Sequence, residues 1–340
     1  MKAAVLHAIN DIRFEEIPTP KIRENEVLLR VKACGLCGTD VHFLRGEWAV
    51  RMPLVPGHEF SGEIAEVGRE VTNVSVGDRV SIDPNVVCGV CKNCRRTERN
   101  HLCSNIRAIG VDVDGAFAEF VKAPREVVYR LPPNVDFETG AMTEPVGCCI
   151  RGFDNTRAAL GDTVVVIGAG PIGLILQQMA LLQGAAKVLT IEPVEGRRRM
   201  AKKLGAHRTI DPATEDVPMI VADETEGNGP EVVFEAVGSP KTISLALQLA
   251  GRGSRVNLFG VAPQASEVTI KPFMLYDKEL KISASYRDPF TFDRAIQLLA
   301  NGRLDVKSLI THRFPLSKVG EAMETFETKK EEAIKIMLRP

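Results

Sequence analysis

The spacing of hydrophobic and polar residues divides this chain into two unlike regions. Up to about residue 150, short alternating or mixed stretches lie between turns and predict β-strands at 26–33, 57–67 and 79–83. From Asp162 onward, apolar runs of strand length alternate with stretches in which apolar residues recur every three or four positions. That alternation is typical of βαβ units and predicts a parallel sheet.

The elements predicted in the second region outline its organisation. Its strands are predicted at residues 163–167, 187–191, 231–236, 255–259 and 280–284, and its helices after Pro171, near Glu195 and near Thr242. Helices are also predicted in the tail, at 291–301 and 319–328, and composition alone leaves open whether the tail is a separate domain. We therefore predict an α/β protein with a mainly β domain at 1–150, a parallel-sheet domain at 151–285 and a tail at 286–340.

The composition is that of an ordinary globular protein with room for two cores. The chain has 340 residues, of which 44% are hydrophobic and 26% charged, and its net charge is −1. Because a balanced surface does not attract polyanions, we expect no nucleic-acid partner, even though Arg95, Arg96 and Arg99 lie close together. Charged residues interrupt the apolar stretch near the N-terminus and no run is long enough for a membrane span, which predicts a cytoplasmic protein.

Some of the cysteines lie close together in the sequence, at Cys88, Cys91, Cys94 and Cys103. Gaps of two residues let successive thiolates turn toward one ion, and four thiolates form a closed tetrahedral zinc site that leaves no place for water. A reducing compartment favours this structural zinc over two disulfides in a secreted protein. The same spacing is also compatible with four unrelated cysteines or with a nucleic-acid zinc knuckle.

A glycine motif directly follows the first predicted strand of the second region. Gly168, Gly170 and Gly173 form G-x-G-x-x-G, and Pro171 and Ile172 open the predicted helix. In this position the first glycine permits a tight turn, the second lets the backbone approach a pyrophosphate, and the third lets helix and strand pack closely. The helix N-terminus then offers N–H groups to the phosphates, which predicts a bound dinucleotide.

The acidic residue expected about twenty positions after such a motif is Glu192. A carboxylate at the end of the next strand accepts both ribose hydroxyls and repels a 2′-phosphate, so we predict NAD as the cofactor. Arg197 and the two arginines that follow it offer cations for a phosphate and keep NADP as the alternative. The other interpretation of these arginines is a solvated helix face.

A second set of potential metal ligands, Cys37, His58 and Glu59, lies outside the four-cysteine cluster. A thiolate, an imidazole and a carboxylate suit zinc, and three protein ligands leave one coordination position open, as in catalytic sites. Separation in sequence says nothing about proximity in space, so these residues alone are weak evidence. The motifs around them strengthen the case.

Several motifs occur together in an order and spacing that resemble one family. They are Cys-Gly-Thr-Asp-Val-His at 37–42, Gly-His-Glu at 57–59 followed by Gly62, Gly-Asp-Arg-Val at 77–80, the four-cysteine cluster and the glycine motif. From end to end, the chain resembles the zinc-dependent medium-chain alcohol and polyol dehydrogenases. The resemblance implies a GroES-like β domain that holds a catalytic zinc, a Rossmann domain, and a C-terminal segment that returns to the β domain.

The resemblance also implies roles for individual residues. Cys37 and His58 would be ligands of the catalytic zinc, and Glu59 a ligand or an alternating near-ligand. Glu144 matches a carboxylate that polyol dehydrogenases place beside this metal, as a catalytic group or a ligand, and Asp40 would accept a hydrogen bond from His58. Together with the four-cysteine site, two zinc ions per chain are expected.

A proton relay is implied by the same motif. Thr39 and His42 match family positions that carry the alcohol proton from the closed site to solvent. Imidazole suits the outer position because it exchanges protons readily near neutral pH. The alternative for His42 is an ordinary hydrogen-bonded surface histidine.

The substrate class follows from residues outside the metal motifs. Glu144, the stretch 309–315 and Arg287 match sorbitol-type enzymes, in which the arginine donates to sugar hydroxyls. The tyrosine of those enzymes is Phe43 here, so a simpler secondary alcohol, a diol or a cyclitol stands beside a polyol as substrate. Trp48 would either line the substrate pocket or pack in the interior. Relatives form homodimers or homotetramers, so we expect a homo-oligomer.

Other functions remain open at the level of sequence. L-Threonine 3-dehydrogenase is the nearest alternative, because the motif at 37–42 suits it equally. A zinc-free, quinone-reductase-like protein would lack the second metal set. A zinc-knuckle binding protein without catalysis would lack Glu192 and the glycine motif.

Overall fold

The computed structural model describes residues 1–96 and 99–340. They form an α/β protein with two compact units, one made of Met1–Gly147 together with Arg287–Pro340 and the other of Cys148–Tyr286. Within these described ranges, every helix is too short or too polar to cross a membrane.

Strands dominate the first part of the chain, and strands alternate with helices from β10 onward. The strands are β1 (Lys2–Ala8), β2 (Asp11–Glu16), β3 (Glu26–Leu36), β4 (Glu59–Val67), β5 (Arg79–Ile82), β6 (Asn85–Val86), β7 (Arg107–Ala108), β8 (Phe120–Pro124), β9 (Val128–Arg130), β10 (Thr163–Ile167), β11 (Lys187–Ile191), β12 (Arg208–Ile210), β13 (Val232–Glu235), β14 (Arg255–Leu258), β15 (Lys281–Ala284), β16 (Ile310–Pro315) and β17 (Lys335–Arg339). The helices are α1 (Gly38–Arg45), α2 (Phe137–Ala141), α3 (Thr143–Thr156), α4 (Pro171–Gln183), α5 (Glu195–Lys203), α6 (Val217–Glu224), α7 (Pro240–Leu249), α8 (Pro272–Lys278), α9 (Phe292–Ala300) and α10 (Val319–Thr328).

The first unit is built around a sheet in the order β16-β17-β3-β4-β5-β9, with β8 also paired to β3. Every second residue of β3 enters the core, since Val27, Leu29 and Val31 are all at most 3% exposed. Strand β3 pairs antiparallel with both β4 and β17. The start of β4 and the C-terminal strand therefore lie on either side of the end of β3, where the chain reaches Cys37.

The second unit contains a parallel sheet in the order β12-β11-β10-β13-β14-β15, which is the 3-2-1-4-5-6 order of dinucleotide-binding folds. The strands predicted at 163–167 and 187–191 are confirmed to the residue. Those predicted at 231–236, 255–259 and 280–284 are confirmed with ends that differ by at most one residue. The order reverses between β10 and β13, so a ligand crevice is expected at the carboxyl ends of these two strands.

The predicted helices are confirmed, with ends that differ by one or two residues. Helix α7 begins at Pro240, not near Thr242, because Ser239 caps it. The hydroxyl of Ser239 accepts the N–H of Thr242 at 3.2 Å, and the side chain of Thr242 accepts the N–H of Ser239 at 3.2 Å. This reciprocal cap satisfies backbone groups that would otherwise lack partners and makes proline at the first helical position favourable.

Several elements were not predicted from the sequence. Helix α3 begins within the region predicted to be mainly β, and its Pro145 resembles a helix breaker. Proline is tolerated there because N–H groups in the first turn have no partner inside the helix. Strand β12, with only three residues, is too short to show a period.

Candidate metal centres and cofactor site

The sulfur atoms of Cys88, Cys91, Cys94 and Cys103 form a compact cluster. The Sγ atoms of Cys91 and Cys94 are 3.5 Å apart, those of Cys91 and Cys103 3.9 Å, and those of Cys88 and Cys94 4.0 Å. A tetrahedral zinc with Zn–S distances of about 2.3 Å requires sulfurs about 3.8 Å apart. The residues therefore fit one zinc ion that they would coordinate completely.

Backbone N–H groups in this loop point at the sulfurs. The N–H groups of Cys88 and Asn105 both donate to the Sγ of Cys103 at 3.4 Å. The N–H groups of Cys94 and Ser104 lower the pKa of Cys91 to about 6, whereas removal from solvent raises the pKa of Cys94 to about 12. Since zinc binds thiolates, a bound ion would deprotonate the remaining thiols as well.

The second cluster is assembled from residues far apart in sequence. The ligand atoms of Cys37, His58 and Glu59 all lie within 4.8 Å of one another. Cys37 follows β3 and forms the N-cap of α1, while Glu59 opens β4 opposite Gly35 of β3. The antiparallel register of β3 and β4 therefore produces the cluster.

His58 supplies the observation that tests whether a metal fits. Its Nδ1 atom is buried and has no hydrogen-bond partner among the described residues. The Oδ1 atom of Asp40 lies 3.6 Å away, which is longer than a hydrogen bond, so the hydrogen bond implied for this pair is absent from the structure. Burial is the largest single influence and lowers the pKa of His58, but Asp40 and Cys37 together outweigh burial and the pKa ends well above its ordinary value. An unsatisfied imidazole beside a thiol and a carboxylate fits zinc.

Glu59 has a partner that the sequence analysis missed. Its Oε2 atom forms an ion pair with the Nζ atom of Lys335, and that ammonium also donates to the carbonyl of Leu36 at 3.1 Å. Both side chains are at most 3% exposed. Burial lowers the pKa of Lys335, but the charges of Glu59 and Cys37 outweigh it, so the pKa is raised and the ammonium is retained.

The backbone makes room for this ion pair at one position. A Cβ atom on Gly35 would overlap the Oε2 atom of Glu59 and come within 2.9 Å of the Cε atom of Lys335. Lys335 is the single charged residue in an apolar stretch of sequence, Ala333-Ile334-Lys335-Ile336-Met337. A lone charged residue in a buried strand requires a partner of opposite charge, so the sequence around Lys335 could have indicated an ion pair.

Thr39 and His42 both lie on helix α1, three residues apart. The Oγ1 atom of Thr39 is 3.6 Å from the Sγ atom of Cys37, so its hydroxyl lies beside the candidate metal ligands. His42 is about 41% exposed at its side chain, and its Nδ1 atom is 2.5 Å from the Oε2 atom of Glu47. One residue is thus near the metal cluster and the other reaches solvent, and their role in a relay stays a prediction.

Glu144 lies in the first turn of α3 and outside the group formed by Cys37, His58 and Glu59. Its carboxylate is within 4.8 Å of the carboxylate of Asp288. Burial raises the pKa of Asp288 well above its ordinary value, and the charges of Asp83 and Glu144 raise it further. Whether Glu144 acts beside the metal stays a prediction.

Arg287 belongs to the same buried polar network as Asp288. Its guanidinium donates to the side-chain carbonyl of Asn85 at 2.8 Å, and the Asn85 amide donates to Asp83 at 3.0 Å and to Asp288 at 2.5 Å. The predicted contact of Arg287 with substrate hydroxyls is not tested by this arrangement. In this structure the arginine anchors the segment that begins at 287.

The two aromatic residues predicted near the substrate contact each other. Phe43 has no exposed surface, whereas Trp48 is 38% exposed. Their rings meet edge to face with centroids 5.9 Å apart. Trp48 therefore covers Phe43, and contact of either ring with substrate stays a prediction.

The glycine motif forms the connection between β10 and α4. Gly168 has φ of 97°, which favours glycine, and a Cβ atom on Gly173 would overlap the carbonyl of Gly168. Gly170 is the N-cap of α4 and cannot offer a side-chain acceptor, and a Cβ added there would meet no described atom within 4 Å. Free N–H groups beside open space, followed by Pro171 and Ile172, fit a phosphate group.

Glu192 lies directly after β11 and is only 4% exposed. Its Oε2 atom accepts the N–H of Ala169 at 2.7 Å, and its Oε1 atom accepts the N–H of Val194 at 2.9 Å. Each oxygen retains a lone pair for a ribose hydroxyl. Arg198 is bound to Asp211 at 3.0 Å and to the carbonyl of Glu192 at 2.8 Å, so its guanidinium is already engaged.

Comparisons with known proteins agree with both halves of the chain. Residues 23–133 match the alcohol dehydrogenase GroES-like domain, and residues 171–301 match the zinc-binding dehydrogenase domain. The chain is 33% identical to sorbitol dehydrogenase of Bacillus subtilis over 345 residues, covering 100% of this chain and 97% of that protein. It is 40% identical to L-threonine 3-dehydrogenase of Caldanaerobacter subterraneus subsp. tengcongensis over 321 residues, covering 92% of this chain and 91% of that protein.

Solved structures show the same architecture with bound cofactors. A zinc-binding dehydrogenase of Sinorhizobium meliloti 1021, bound to NADP, matches with a TM-score of 0.95 at 35% identity, covering 100% of this chain and 99% of that chain. An alcohol dehydrogenase of E. coli CFT073, complexed with NADH, matches with a TM-score of 0.94 at 30% identity, with the same coverage of both chains.

Proposed function

Because this chain belongs to the zinc- and NAD(P)-dependent medium-chain alcohol dehydrogenases, we propose that it oxidises a secondary alcohol of a polyol, diol or cyclitol to the ketone, with NAD as hydride acceptor. The observation that carries the proposal is the cluster of Cys37, His58 and Glu59 within 4.8 Å. Three protein ligands leave one position for an alcohol oxygen, whereas the four-cysteine cluster leaves none.

The chain's own residues provide binding and proton transfer. Cys37, His58 and Glu59 would hold the catalytic zinc, and the ion pair of Glu59 with Lys335 makes Glu59 the ligand that could alternate between the metal and another partner. When bound, zinc lowers the pKa of the alcohol, and NAD accepts the hydride. Thr39 takes the alcohol proton through its hydroxyl, and His42 passes that proton to water.

The preference for NAD over NADP follows from charge. Glu192 is buried at the expected ribose position and repels a 2′-phosphate. Arg198 is held by Asp211, and Arg199 is paired with Glu195 on the helix surface. Arg197 lies in the first turn of the same helix, and we propose that it contacts the cofactor without selecting NADP.

L-Threonine 3-dehydrogenase activity is the second candidate. It is favoured by the 40% identity to the curated threonine dehydrogenase, compared with 33% to the sorbitol dehydrogenase. Both reactions oxidise a secondary alcohol and would use the same metal cluster. They differ in what must recognise the rest of the substrate, either hydroxyl groups or an ammonium and a carboxylate.

We also propose that the protein is a homo-oligomer. Strand β15 is an edge of the parallel sheet. Exposed apolar side chains accompany it, with Phe273 at 74%, Tyr276 at 81% and Ile282 at 38% exposure. An uncovered edge with apolar neighbours favours association, which light scattering of the purified protein measures directly.

A panel assay tests the proposed function. Polyols, diols, cyclitols, simple secondary alcohols and L-threonine are each incubated with NAD and with NADP, and cofactor reduction is followed by absorbance. The expected result is higher kcat/KM for a polyol, diol or cyclitol with NAD, and two zinc ions per chain by metal analysis. Higher kcat/KM for L-threonine would select the second candidate, and no reduction with any substrate would overturn both.

A further inference from the structure

The turn that ends helix α1 places the carboxylate of Glu47 beside His42, the candidate relay histidine. Gly46 follows the helix with φ of 70°, which turns the chain. The N–H groups of Glu47 and Trp48 then donate to the carbonyl of His42 at 2.9 and 3.4 Å. The backbone of residues 46–48 is thus tied to the residue whose side chain Glu47 contacts.

The side-chain contact is short and directional. The Oε2 atom of Glu47 lies 2.5 Å from the Nδ1 atom of His42. The hydrogen bond from His42 lowers the pKa of Glu47, and the charges of His42 and Arg45 lower it further. An ionised carboxylate only accepts hydrogen bonds, so Nδ1 must carry the proton. The Nε2 atom, for which the described residues provide no hydrogen bond, is then the basic nitrogen of the ring.

The second oxygen of Glu47 is also restrained. Its Oε1 atom lies 3.7 Å from the Nη1 atom of Arg45, and the Nη2 atom of Arg45 lies 2.5 Å from Glu327 of helix α10. Glu47, Arg45 and Glu327 thus form a chain of ion pairs that begins at His42. This chain of contacts fixes the carboxylate that faces the imidazole.

We infer that Glu47 is a positioning residue for proton transfer: it fixes His42 as the Nδ1–H tautomer and leaves Nε2 to accept the proton from the relay. This inference rests on the proposed function, because it gives His42 a proton to carry. On protonation the Nε2–H bond forms and the imidazolium is neutralised by Glu47. Loss of the same proton to water restores the neutral ring, so protons and charge balance over one turnover.

The same chain contains a comparable pair that serves as a control. His7 and Glu15 lie on the adjacent strands β1 and β2, with Nε2 and Oε1 3.0 Å apart and side chains 32% and 36% exposed. Their exposure resembles that of His42 and Glu47, at 41% and 47%. The His7 pair uses the other ring nitrogen and is not close in sequence to the metal cluster, so it reports what an exposed pair does without a relay.

The first measurement is the tautomer, which does not depend on turnover. Nitrogen-15 NMR of histidine-labelled protein, with His42 assigned by His42→Gln, reports which ring nitrogen carries hydrogen. We expect the Nδ1–H form in the wild type and in Glu47→Gln, whose amide oxygen still accepts. We expect a mixture of tautomers in Glu47→Ala. Wild-type nitrogen shifts for His42 in Glu47→Ala would overturn the inference.

The second measurement is kcat together with KM. Glu47→Ala should lower kcat about three- to tenfold with KM unchanged, which is less than the hundredfold or more that a proton-transfer group itself contributes, because Glu47 only positions His42. Glu47→Gln, whose amide oxygen still accepts the Nδ1–H hydrogen bond, should retain more of the rate than Glu47→Ala. Glu15→Ala should leave kcat and KM unchanged.

The variants separate failure of the inference from failure of the proposed relay. If His42→Gln loses turnover while Glu47→Ala does not, the relay stands and Glu47 has no part in it. If His42→Gln keeps full turnover, the relay fails and the inference falls with it. An equal loss in Glu47→Ala and Glu15→Ala would reduce Glu47 to an ordinary surface contact, which also overturns the inference.

Discussion

The two thiol-bearing clusters of the first unit differ in how the chain builds them. Cys88, Cys91, Cys94 and Cys103 lie within one loop and are in part accessible to solvent. The other cluster joins Cys37 after β3 to His58 and Glu59 at the start of β4, and its counter-charge, Lys335, comes from the last strand. Its His58 and Glu59 are at most 7% exposed.

This difference separates stability from chemistry. A closed set of thiolates on neighbouring residues braces a loop and needs little from the rest of the fold. A cluster with an open position requires a fixed register between strands, and its charges must be balanced because they are buried. The ion pair of Glu59 and Lys335 provides that balance before any metal binds.

The largest expected effect comes from removing a ligand of the open cluster. Cys37→Ala should lower the zinc content from two ions to one and reduce kcat/KM by about a thousandfold or more, since the chemistry of the metal is lost. Metal analysis and NAD reduction measure both. Cys34→Ala removes a buried thiol outside the ligand set and should keep both zinc ions. Turnover within tenfold of wild type in Cys37→Ala would place catalysis elsewhere.

Removing the charge of Lys335 should lower the free energy of unfolding. Lys335→Met leaves the carboxylate of Glu59 buried without a partner, which costs about 3–5 kcal/mol in the metal-free protein. A bound zinc supplies a replacement charge, so the loss should be smaller in the zinc-loaded protein. Urea unfolding with and without chelator measures this difference, and Lys335→Arg, which keeps the charge, should lose less. An equal loss of unfolding free energy in the metal-free and the zinc-loaded protein would mean that zinc and Lys335 do not both interact with Glu59.

Disruption of the closed cluster should affect stability more than rate. Cys91→Ala removes one of the four thiolates, and a ligand held at 1,000 times its Kd contributes about 4 kcal/mol to folding. We expect a lower melting temperature by calorimetry, with kcat per remaining zinc within about threefold of wild type. Normal melting with a selective loss of rate would reverse the roles of the two clusters.

Local patterns account for the parts that the sequence predicted well. Strands β10 and β11 are runs of buried β-branched and apolar residues with turns on either side, and both were predicted to the residue. The four-cysteine cluster needs only short spacing. The glycine motif needs only its position between a strand and a helix: Gly168 adopts a positive φ, Gly170 caps the helix, and a Cβ atom on Gly173 would overlap the carbonyl of Gly168.

Long-range pairing accounts for what the sequence missed. Lys335 reaches Glu59 because β17 lies beside β3, and no local period indicates which strands become neighbours. Asp40 illustrates the same limit, since the hydrogen bond implied for His58 depends on a distance that the structure sets at 3.6 Å. Family resemblance pointed to the candidate ligands, and the buried charges around them depend on how this chain packs.

The smallest expected effect tests whether the hydroxyl of Thr39 serves proton transfer or supports the metal ligands of the open cluster. Thr39→Val keeps the shape of the side chain but removes a hydroxyl that lies 3.6 Å from the Sγ atom of Cys37. Turnover should fall about tenfold while both zinc ions remain, because proton transfer is lost and the ligands are not. Thr39→Ser keeps the hydroxyl and should retain most of the rate. If Thr39→Val instead loses zinc, the hydroxyl belongs to the metal cluster and supports the thiolate, and the proton must leave by another route.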